Sequence, residues 1–231
     1  MTKRDSKMAS QTVENYLKAI FHLAQKNQDI NPTELAQTLS VSVPTVNSMA
    51  KKMAALAYIE YEKYKPLRMT EKGRKEAALI IRKHRLIEMY LVEKMGFGWE
   101  QVHQIAEQIE HIKAPLFFER IDQILGFPKY DPHGSPIPNK QGEIEAVSFR
   151  ALTECKAGKL FILRGLRDSS EEFLKYLNAK NLALGTKIEI LKIEDFDKNM
   201  TISYQNPTQL KEAQQEVLSE LVCAKLLVEE I

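Results

Sequence analysis

The sequence predicts a mainly α-helical chain with a β-rich C-terminal domain. Apolar residues recur at helical spacing up to about residue 126, with one short interruption near residues 58–69. Beyond residue 148, short β-like runs replace the helical pattern, and a Pro- and Gly-rich stretch at 128–139 separates the two halves. We expect domains at residues 1–75, 76–140 and 148–231.

Two short, tightly linked helices are predicted in the first domain, after an amphipathic helix over residues 11–26. Asn31-Pro32-Thr33-Glu34 has the order of an N-cap, a proline at the first helical position and a capping-box glutamate. Ser42-Val43-Pro44 opens a further helix to about residue 56, only about three residues after the preceding helix ends near Leu39. This spacing is typical of a helix-turn-helix.

A β-hairpin is predicted to follow it. Tyr58–Tyr64 alternates like a strand, Lys65-Pro66 turns the chain, and Leu67–Met69 returns. Thr70 then caps a long helix from Glu71 to Gly96. Together these elements predict a winged helix-turn-helix.

The remaining elements divide between helices and strands. Amphipathic helices are expected at 99–112 and 115–126, and their Ile, Leu and Phe content predicts pairing in a homodimer. Residues 208–230 are expected to be helical, or a helix leading into a last strand. The expected strands and third-domain helix are Lys159–Leu163, Thr186–Ile193, Met200–Tyr204 and 170–179.

Composition limits the classes of function. No apolar run approaches the ~18–20 residues of a membrane span, and the polar N-terminus lacks a signal core, so we expect a cytoplasmic protein without a membrane partner. Two distant cysteines argue against a disulfide framework or a cysteine-based zinc module. Residues 1–85 carry 16 Lys/Arg and 8 Asp/Glu, whereas the remainder carries 17 and 23, which predicts that the N-terminal region meets a polyanion.

Double-stranded DNA is the polyanion that this motif predicts. The start of the second helix of the motif would read base edges, and lysines and an arginine farther along and on the wing would contact phosphates. The candidate DNA-binding residues are Pro44, Thr45, Asn47, Ser48, Lys51, Lys52, Lys63, Lys65 and Arg68.

Histidines and carboxylates form a pattern that can bind a divalent cation. His84 and Glu88 are four residues apart on one helix face, and a second group on one helix falls within an arc of about 100°. This second group is His103, Glu107, Glu110 and His111. A polar, salt-bridged helix face gives the same spacing, so spacing alone leaves both interpretations open.

The chain resembles the diphtheria toxin repressor/manganese transport regulator family of metal-dependent repressors. The segments that carry the resemblance, in order over residues 10–138, are Thr12–Leu17, Val43–Val46, Leu67–Gly73, Arg82–Glu88, Val102-His103, Glu110-His111 and Asp131–Pro138. The β-rich tail resembles the SH3-like (FeoA-like) third domain of that family.

This resemblance implies two metal sites per subunit. Asn15, Glu107, Glu110 and His111 match one site, and Asn15 is a departure, because family members often carry Met or Asp there. A neighbouring site would take its ligands from His84, Glu88, His103, Asp131 and Asp168. Glutamate at position 107 supplies a hard oxygen, which favours Mn²⁺, with Fe²⁺ as the alternative.

The expected function is a non-enzymatic, metal-dependent transcriptional repressor that binds operator DNA and controls genes of metal-ion homeostasis. Two alternatives remain open from the sequence. One is a winged-helix regulator of an organic ligand whose polar helix face is structural. The other is a metallohydrolase, which lacks the support of a His-Glu-x-x-His or nucleophile-elbow motif.

Overall fold

The computed structural model describes residues 10–207 and 212–231, which contain a helical N-terminal part and a β-rich C-terminal part. The chain forms two compact units. Unit 1 contains the described residues up to 87 with 106–122 and 137–145, and unit 2 contains 88–105, 123–136 and the described residues from 146 to 231. The domain boundaries at residues 75, 140 and 148 therefore stay predictions.

Unit 1 begins with the predicted winged helix-turn-helix. Its helices are α1 (Gln11–Lys26), α2 (Pro32–Thr38) and α3 (Val43–Ala55). The Asn31 side chain accepts a hydrogen bond from the Thr33 N–H, and Ser42 Oγ accepts one from the Thr45 N–H, so both caps act as the sequence predicts. Apolar side chains of the three helices and the wing share one buried core.

The wing is shorter than predicted. Only β1 (Ile59–Glu60) and β2 (Arg68–Met69) pair, in antiparallel register with Ile59 opposite Met69. The expected strand to Tyr64 is wrong beyond Glu60. Tyr64 has a left-handed φ of 69°, so the extended run ends within the connecting loop.

The long helix α4 (Glu71–Met95) starts where the sequence predicts. Thr70 Oγ1 accepts a hydrogen bond from the Gly73 N–H, and a Cβ on Gly73 would lie 2.0 Å from the Tyr58 carbonyl oxygen. Glycine is therefore required for this close approach of α4 to the end of the recognition motif. Two shorter helices follow, α5 (Val102–Ile109) and α6 (Pro115–Ile124).

Unit 2 contains a six-stranded antiparallel sheet in the order β3-β8-β4-β5-β6-β7. The strands are β3 (Arg150–Ala151), β4 (Leu160–Leu166), β5 (Lys187–Ile193), β6 (Met200–Gln205), β7 (Gln214–Leu218) and β8 (Leu226–Glu230). Helix α7 (Glu171–Ala179) and the short α8 (Glu220–Cys223) accompany them, and an apolar core lies between sheet and helices. The predicted fold class is confirmed.

The C-terminal segment corrects one expectation. Residues 214–218 form the edge strand β7 and not a helix, although α8 leading into β8 agrees with the second form of the prediction. Residues 208–211 lie outside the described part of the chain. Among described residues, no helix is both long and apolar enough to cross a bilayer.

Candidate metal centre and nucleic-acid interface

The candidate DNA-reading residues lie on the surface of unit 1. Pro44, Thr45, Ser48, Lys51 and Lys52 are exposed along α3, and Asn47 is half-buried. Val46, Ala50 and Met53 on the opposite face of α3 are buried in the core. The helix therefore presents its short polar side chains and its two lysines to the outside, as a recognition helix requires.

Two of the three cations on the wing already have carboxylate partners. Arg68 Nε lies 2.5 Å from Asp29 Oδ1, and Lys65 Nζ lies 2.7 Å from Glu62 Oε2. Lys63 Nζ stands over the Tyr64 ring at 4.6 Å from its centroid. All three side chains are exposed, so these pairs can open at little cost when phosphates approach.

A buried group of ionisable side chains joins α1 to α4 and to the end of α5. We call it the α1–α5 cluster, and it consists of Glu14, Lys18, His84, Glu107, Glu110 and His111, with Asn15 next to Glu14 on α1. Glu110 is fully buried, and Glu14, Lys18 and His84 are nearly so. Burial of so many charges in a small volume is costly unless they are paired, which makes this cluster a candidate functional site.

Glu110 is the centre of the cluster. Lys18 Nζ donates to both of its oxygens at 2.8 and 2.9 Å, and also to Glu107 Oε1 at 2.5 Å. His84 Nδ1 lies 2.6 Å from Glu110 Oε2, so that it donates to the carboxylate. One carboxylate thus connects α1, α4 and the end of α5.

Two lone-pair atoms on or next to the cluster are buried without a hydrogen-bond partner among the described residues. They are Asn15 Oδ1 and His111 Nε2. His111 Nδ1 lies 2.6 Å from Glu14 Oε2 and donates to it, which in a neutral imidazole leaves a lone pair on Nε2, 3.6 Å from Glu110 Oε1. Buried acceptors that face carboxylates without a donor are what a cation site presents before it binds its ion.

A second group, the Glu88 cluster, lies within unit 2 and consists of Glu88, His103, Asp131 and His133. His103 Nδ1 lies 3.3 Å from Glu88 Oε1, and His133 Nδ1 lies 3.8 Å from Glu88 Oε2. Ligand atoms of Glu88, Asp131 and His133 all lie within 4.8 Å of one another. Three buried ligands of this kind can hold one divalent cation.

The backbone fixes two members of the Glu88 cluster. Asp131 Oδ1 accepts the N–H groups of His133 and Ser135, each at 2.9 Å. His133 Nε2 lies 2.9 Å from the Trp99 carbonyl oxygen and must donate to it, so the neutral ring keeps its lone pair on Nδ1. A histidine whose second nitrogen donates to a carbonyl is the usual arrangement of a metal ligand.

Asp168 and the cysteines lie apart from these contacts. Asp168 accepts hydrogen bonds from Lys225 Nζ at 2.6 Å and from the Ser170 N–H, and it lines a cleft of about 610 Å³ with His103. Cys155 and Cys223 are buried in the β-rich core, where burial raises the pKa of Cys223 to about 12. This thiol therefore stays protonated, and nitrogen and oxygen atoms supply the ligands of both clusters.

Every metal ligand proposed from the sequence has a definite place. Glu107, Glu110 and His111 meet in one cluster, with Asn15 beside Glu14 on α1, and His103 and Asp131 each lie close to Glu88 in the other. His84, which the resemblance assigns to the second site, contacts Glu110 of the first. Sequence reasoning missed Glu14, Lys18 and His133, although the four-residue spacing of Glu14 and Lys18 on α1 was a usable signal.

Comparisons with known proteins agree with this organisation. Residues 8–67 match the model of the iron-dependent repressor N-terminal DNA-binding domain, and residues 70–139 match its metal-binding and dimerisation domain. Residues 150–221 match the FeoA domain.

Three similar proteins extend the agreement over most of the chain. The diphtheria toxin repressor of Corynebacterium jeikeium is 29% identical over 185 residues, which are 79% of this chain and 76% of that protein. A manganese-dependent transcriptional repressor solved in complex with manganese has a TM-score of 0.82 at 27% identity, covering 95% of this chain and all of the other. The crystal structure of ScaR with bound Zn²⁺ has a TM-score of 0.75 at 32% identity, covering 95% and 99% of the two chains.

These matches favour neither the organic-ligand regulator nor the metallohydrolase. The family consists of DNA-binding regulators and not of enzymes, in agreement with the sequence-based expectation. The chain belongs to the diphtheria toxin repressor family of metal-dependent transcriptional repressors.

Proposed function

We propose that this protein is a homodimeric, Mn²⁺-activated repressor that binds operator DNA and controls genes of metal-ion homeostasis, with Fe²⁺ as the alternative activating ion. The observation that carries the proposal is the α1–α5 cluster, where α1 of the winged helix-turn-helix meets Glu107, Glu110 and His111 through buried charges. A change of charge in this cluster therefore acts directly on a helix of the DNA-binding domain.

The residues of the cluster fit a divalent cation. A bound cation would supply positive charge to Glu107 and Glu110. It would also use the lone pairs of Asn15 Oδ1 and His111 Nε2, which have no hydrogen-bond partner among the described residues. Carboxylate, amide and imidazole donors without a thiolate favour Mn²⁺ or Fe²⁺ over softer ions. The order of affinities still favours Zn²⁺, so selectivity has to come from geometry and supply.

Two sites per subunit are part of the proposal. The first uses Asn15, Glu107, Glu110 and His111, with His84 and Glu14 added because of their contacts with Glu110 and His111. The second uses Glu88, His103, Asp131 and His133. Asp168 belongs to this second site only as a residue of the cleft that it shares with His103.

Exposed apolar side chains on and after α6 support the homodimer. Leu116 is 78% exposed, and Phe117, Ile124 and Phe127 are exposed as well. Pairing of such a surface across a two-fold axis would remove it from water. Two recognition helices would then dock in half-sites about 34–36 Å apart, and fixing α1 would fix their spacing.

The test is the affinity for a DNA fragment selected with the Mn²⁺-loaded protein. Fluorescence anisotropy at buffered free Mn²⁺, Fe²⁺ or Zn²⁺ should give tight binding with Mn²⁺ or Fe²⁺ and weak binding after chelation. A Lys51→Ala/Lys52→Ala double variant should reduce the salt slope of binding by up to about two, because each lost phosphate contact removes about 0.9.

Matched controls sharpen this test. A Lys26→Ala/Lys94→Ala double variant removes the same charge outside the proposed interface and should keep the salt slope. DNA binding that is equally tight with and without metal would refute the proposed metal dependence. Sedimentation of the metal-bound protein as a monomer would refute the proposed homodimer.

A further inference from the structure

We infer that the Lys18 ammonium is a built-in competitor of the activating ion, which occupies the carboxylates of the α1–α5 cluster until the metal displaces it. This inference rests on the proposed metal-dependent function and concerns what sets the metal concentration at which the protein responds.

The position of Lys18 is the first argument. Its Nζ lies within 2.5–2.9 Å of three oxygens of Glu107 and Glu110, the two carboxylates with which the ion would interact. The Lys18 side chain is 11% exposed and that of Glu110 is fully buried, so water contributes little to either charge. An ammonium and a divalent cation cannot share these oxygens, since two positive charges a few ångströms apart repel strongly in a poorly solvated site.

The order of residues on α1 is the second argument. Glu14 and Asn15 precede Lys18 by four and three residues, a spacing that puts all three on one face of the helix. One face of α1 therefore carries both a positive charge, on Lys18, and oxygen atoms that can bind a metal ion, on Glu14 and Asn15. Without metal, Lys18 ties α1 directly to Glu110.

The two states would hold α1 by different residues. Glu14 already contacts His111. With metal, the link from α1 to Glu110 would pass through the ion and Asn15 instead of Lys18, and the Lys18 side chain would have to leave Glu107 and Glu110. The free energy needed to break the Lys18 contacts is then subtracted from the free energy of metal binding. The observed metal affinity is lower by that amount, because only the difference in affinity for the two states drives the change.

The experiment compares Lys18→Met with Lys26→Met in the full chain. Both variants remove one positive charge from α1, but Lys26 is exposed in its last turn. By calorimetric titration with Mn²⁺, Lys18→Met should bind at least about tenfold more tightly than wild type, which corresponds to about 1.4 kcal/mol. Lys26→Met should bind as wild type does.

Thermal unfolding supplies an independent readout. Without metal, Lys18→Met should unfold at a lower temperature than Lys26→Met, since Glu107 and Glu110 lose a buried partner, and its Tm should rise more on Mn²⁺ addition. Lys18→Gln lacks the charge but still has an N–H donor for the two glutamates. It replaces Lys18→Met in these measurements if the methionine variant folds only with metal. It should also bind Mn²⁺ more tightly than wild type.

The outcomes separate this inference from the proposed function. Equal or weaker Mn²⁺ binding by both Lys18 variants overturns the competitor role, while wild-type metal binding would leave the metal-dependent function standing. Absence of Mn²⁺ binding by the wild type would instead overturn the proposed function, and with it this inference.

Discussion

The two clusters use the same kinds of side chains but are held together differently. In the α1–α5 cluster, side chains hold one another: Lys18 and His84 both donate to Glu110, and His111 donates to Glu14. In the Glu88 cluster, backbone groups orient Asp131 and His133. A cluster held by side-chain charges rearranges when a cation enters, whereas one oriented by backbone is already arranged.

This difference indicates which cluster operates the switch. The α1–α5 cluster contains an internal cation and residues of a helix of the DNA-binding motif, and it includes or adjoins two buried acceptors without a hydrogen-bond partner among the described residues. The Glu88 cluster belongs to the unit that contains the β-rich domain. We therefore expect the first cluster to convert metal binding into a change in DNA affinity, and the second to contribute mainly metal capacity and stability.

The largest effect should come from Glu110→Gln. Loss of its charge removes a proposed ligand that Lys18 and His84 also contact. Mn²⁺-activated DNA binding should therefore weaken by more than about 100-fold, because loss of a residue one step removed from a metal already costs up to about 100-fold. Unfolding free energy of the metal-free protein should fall by about 3 kcal/mol, since a buried pair loses one partner. Anisotropy titration and denaturant unfolding measure the two effects.

Glu119→Gln is the matched control for this change, because Glu119 is exposed on α6. Sedimentation should show that Glu110→Gln remains a dimer. A Glu110→Gln protein that still binds operator in a fully Mn²⁺-dependent manner would remove the distinction between the clusters.

His84→Ala should have the next largest effect. The resemblance assigns His84 to the second site, which predicts a weaker effect than loss of Glu110, but its Nδ1 donates to Glu110 Oε2 at 2.6 Å. Activation should therefore weaken about 10- to 100-fold, the range for a residue that orients a ligand. If Mn²⁺ activated DNA binding by His84→Ala as it does in wild type, His84 would have no role in the first site and its assignment to the second site would stand.

Local patterns made much of the fold predictable. The caps at Asn31 and Ser42 and the apolar periodicity of α1 and α3 depend on neighbours in the sequence. Glu107 lies on α5, and Glu110 and His111 follow directly in the turn after it, so their proximity also comes from neighbours in the sequence. The edge strand β7 was missed because only Leu218 in it is buried, so its apolar alternation is too weak to oppose the helix-favouring residues around it.

The pairing of charges was not predictable from the sequence. Lys18 and Glu110 are 92 residues apart, and His111 and Glu14 are 97 apart, so no periodicity connects them. His133 was missed as a ligand because its competence depends on the Trp99 carbonyl, a backbone group that composition and spacing do not reveal. Three-dimensional placement alone decides whether a histidine is a ligand or a core residue.

His133→Ala should sharpen the comparison from the side of the Glu88 cluster. It removes a buried ligand, so Mn²⁺ stoichiometry by equilibrium dialysis should fall from two to one per chain. Operator affinity at saturating Mn²⁺ should change by less than about tenfold, since α1 keeps its contacts with Glu110. A loss of activation as complete as that of Glu110→Gln would mean that the second cluster also controls DNA binding.

His103→Ala should have the smallest effect of the series. The His103 side chain is 56% exposed, and its distance to Glu88 Oε1 is 3.3 Å, so solvent weakens its interaction more than that of the buried His133. Water can reach this position and replace a lost ligand there, so the Mn²⁺ affinity of the second site should fall by about tenfold, the low end of losses around a metal site. Dialysis on a Glu110→Gln background isolates that site, with His103→Gln as the variant that retains a hydrogen-bonding group. If His103→Ala abolished Mn²⁺ binding on this background, the exposed histidine would bind as firmly as the buried one. Orientation by the backbone would then not distinguish the ligands of this cluster.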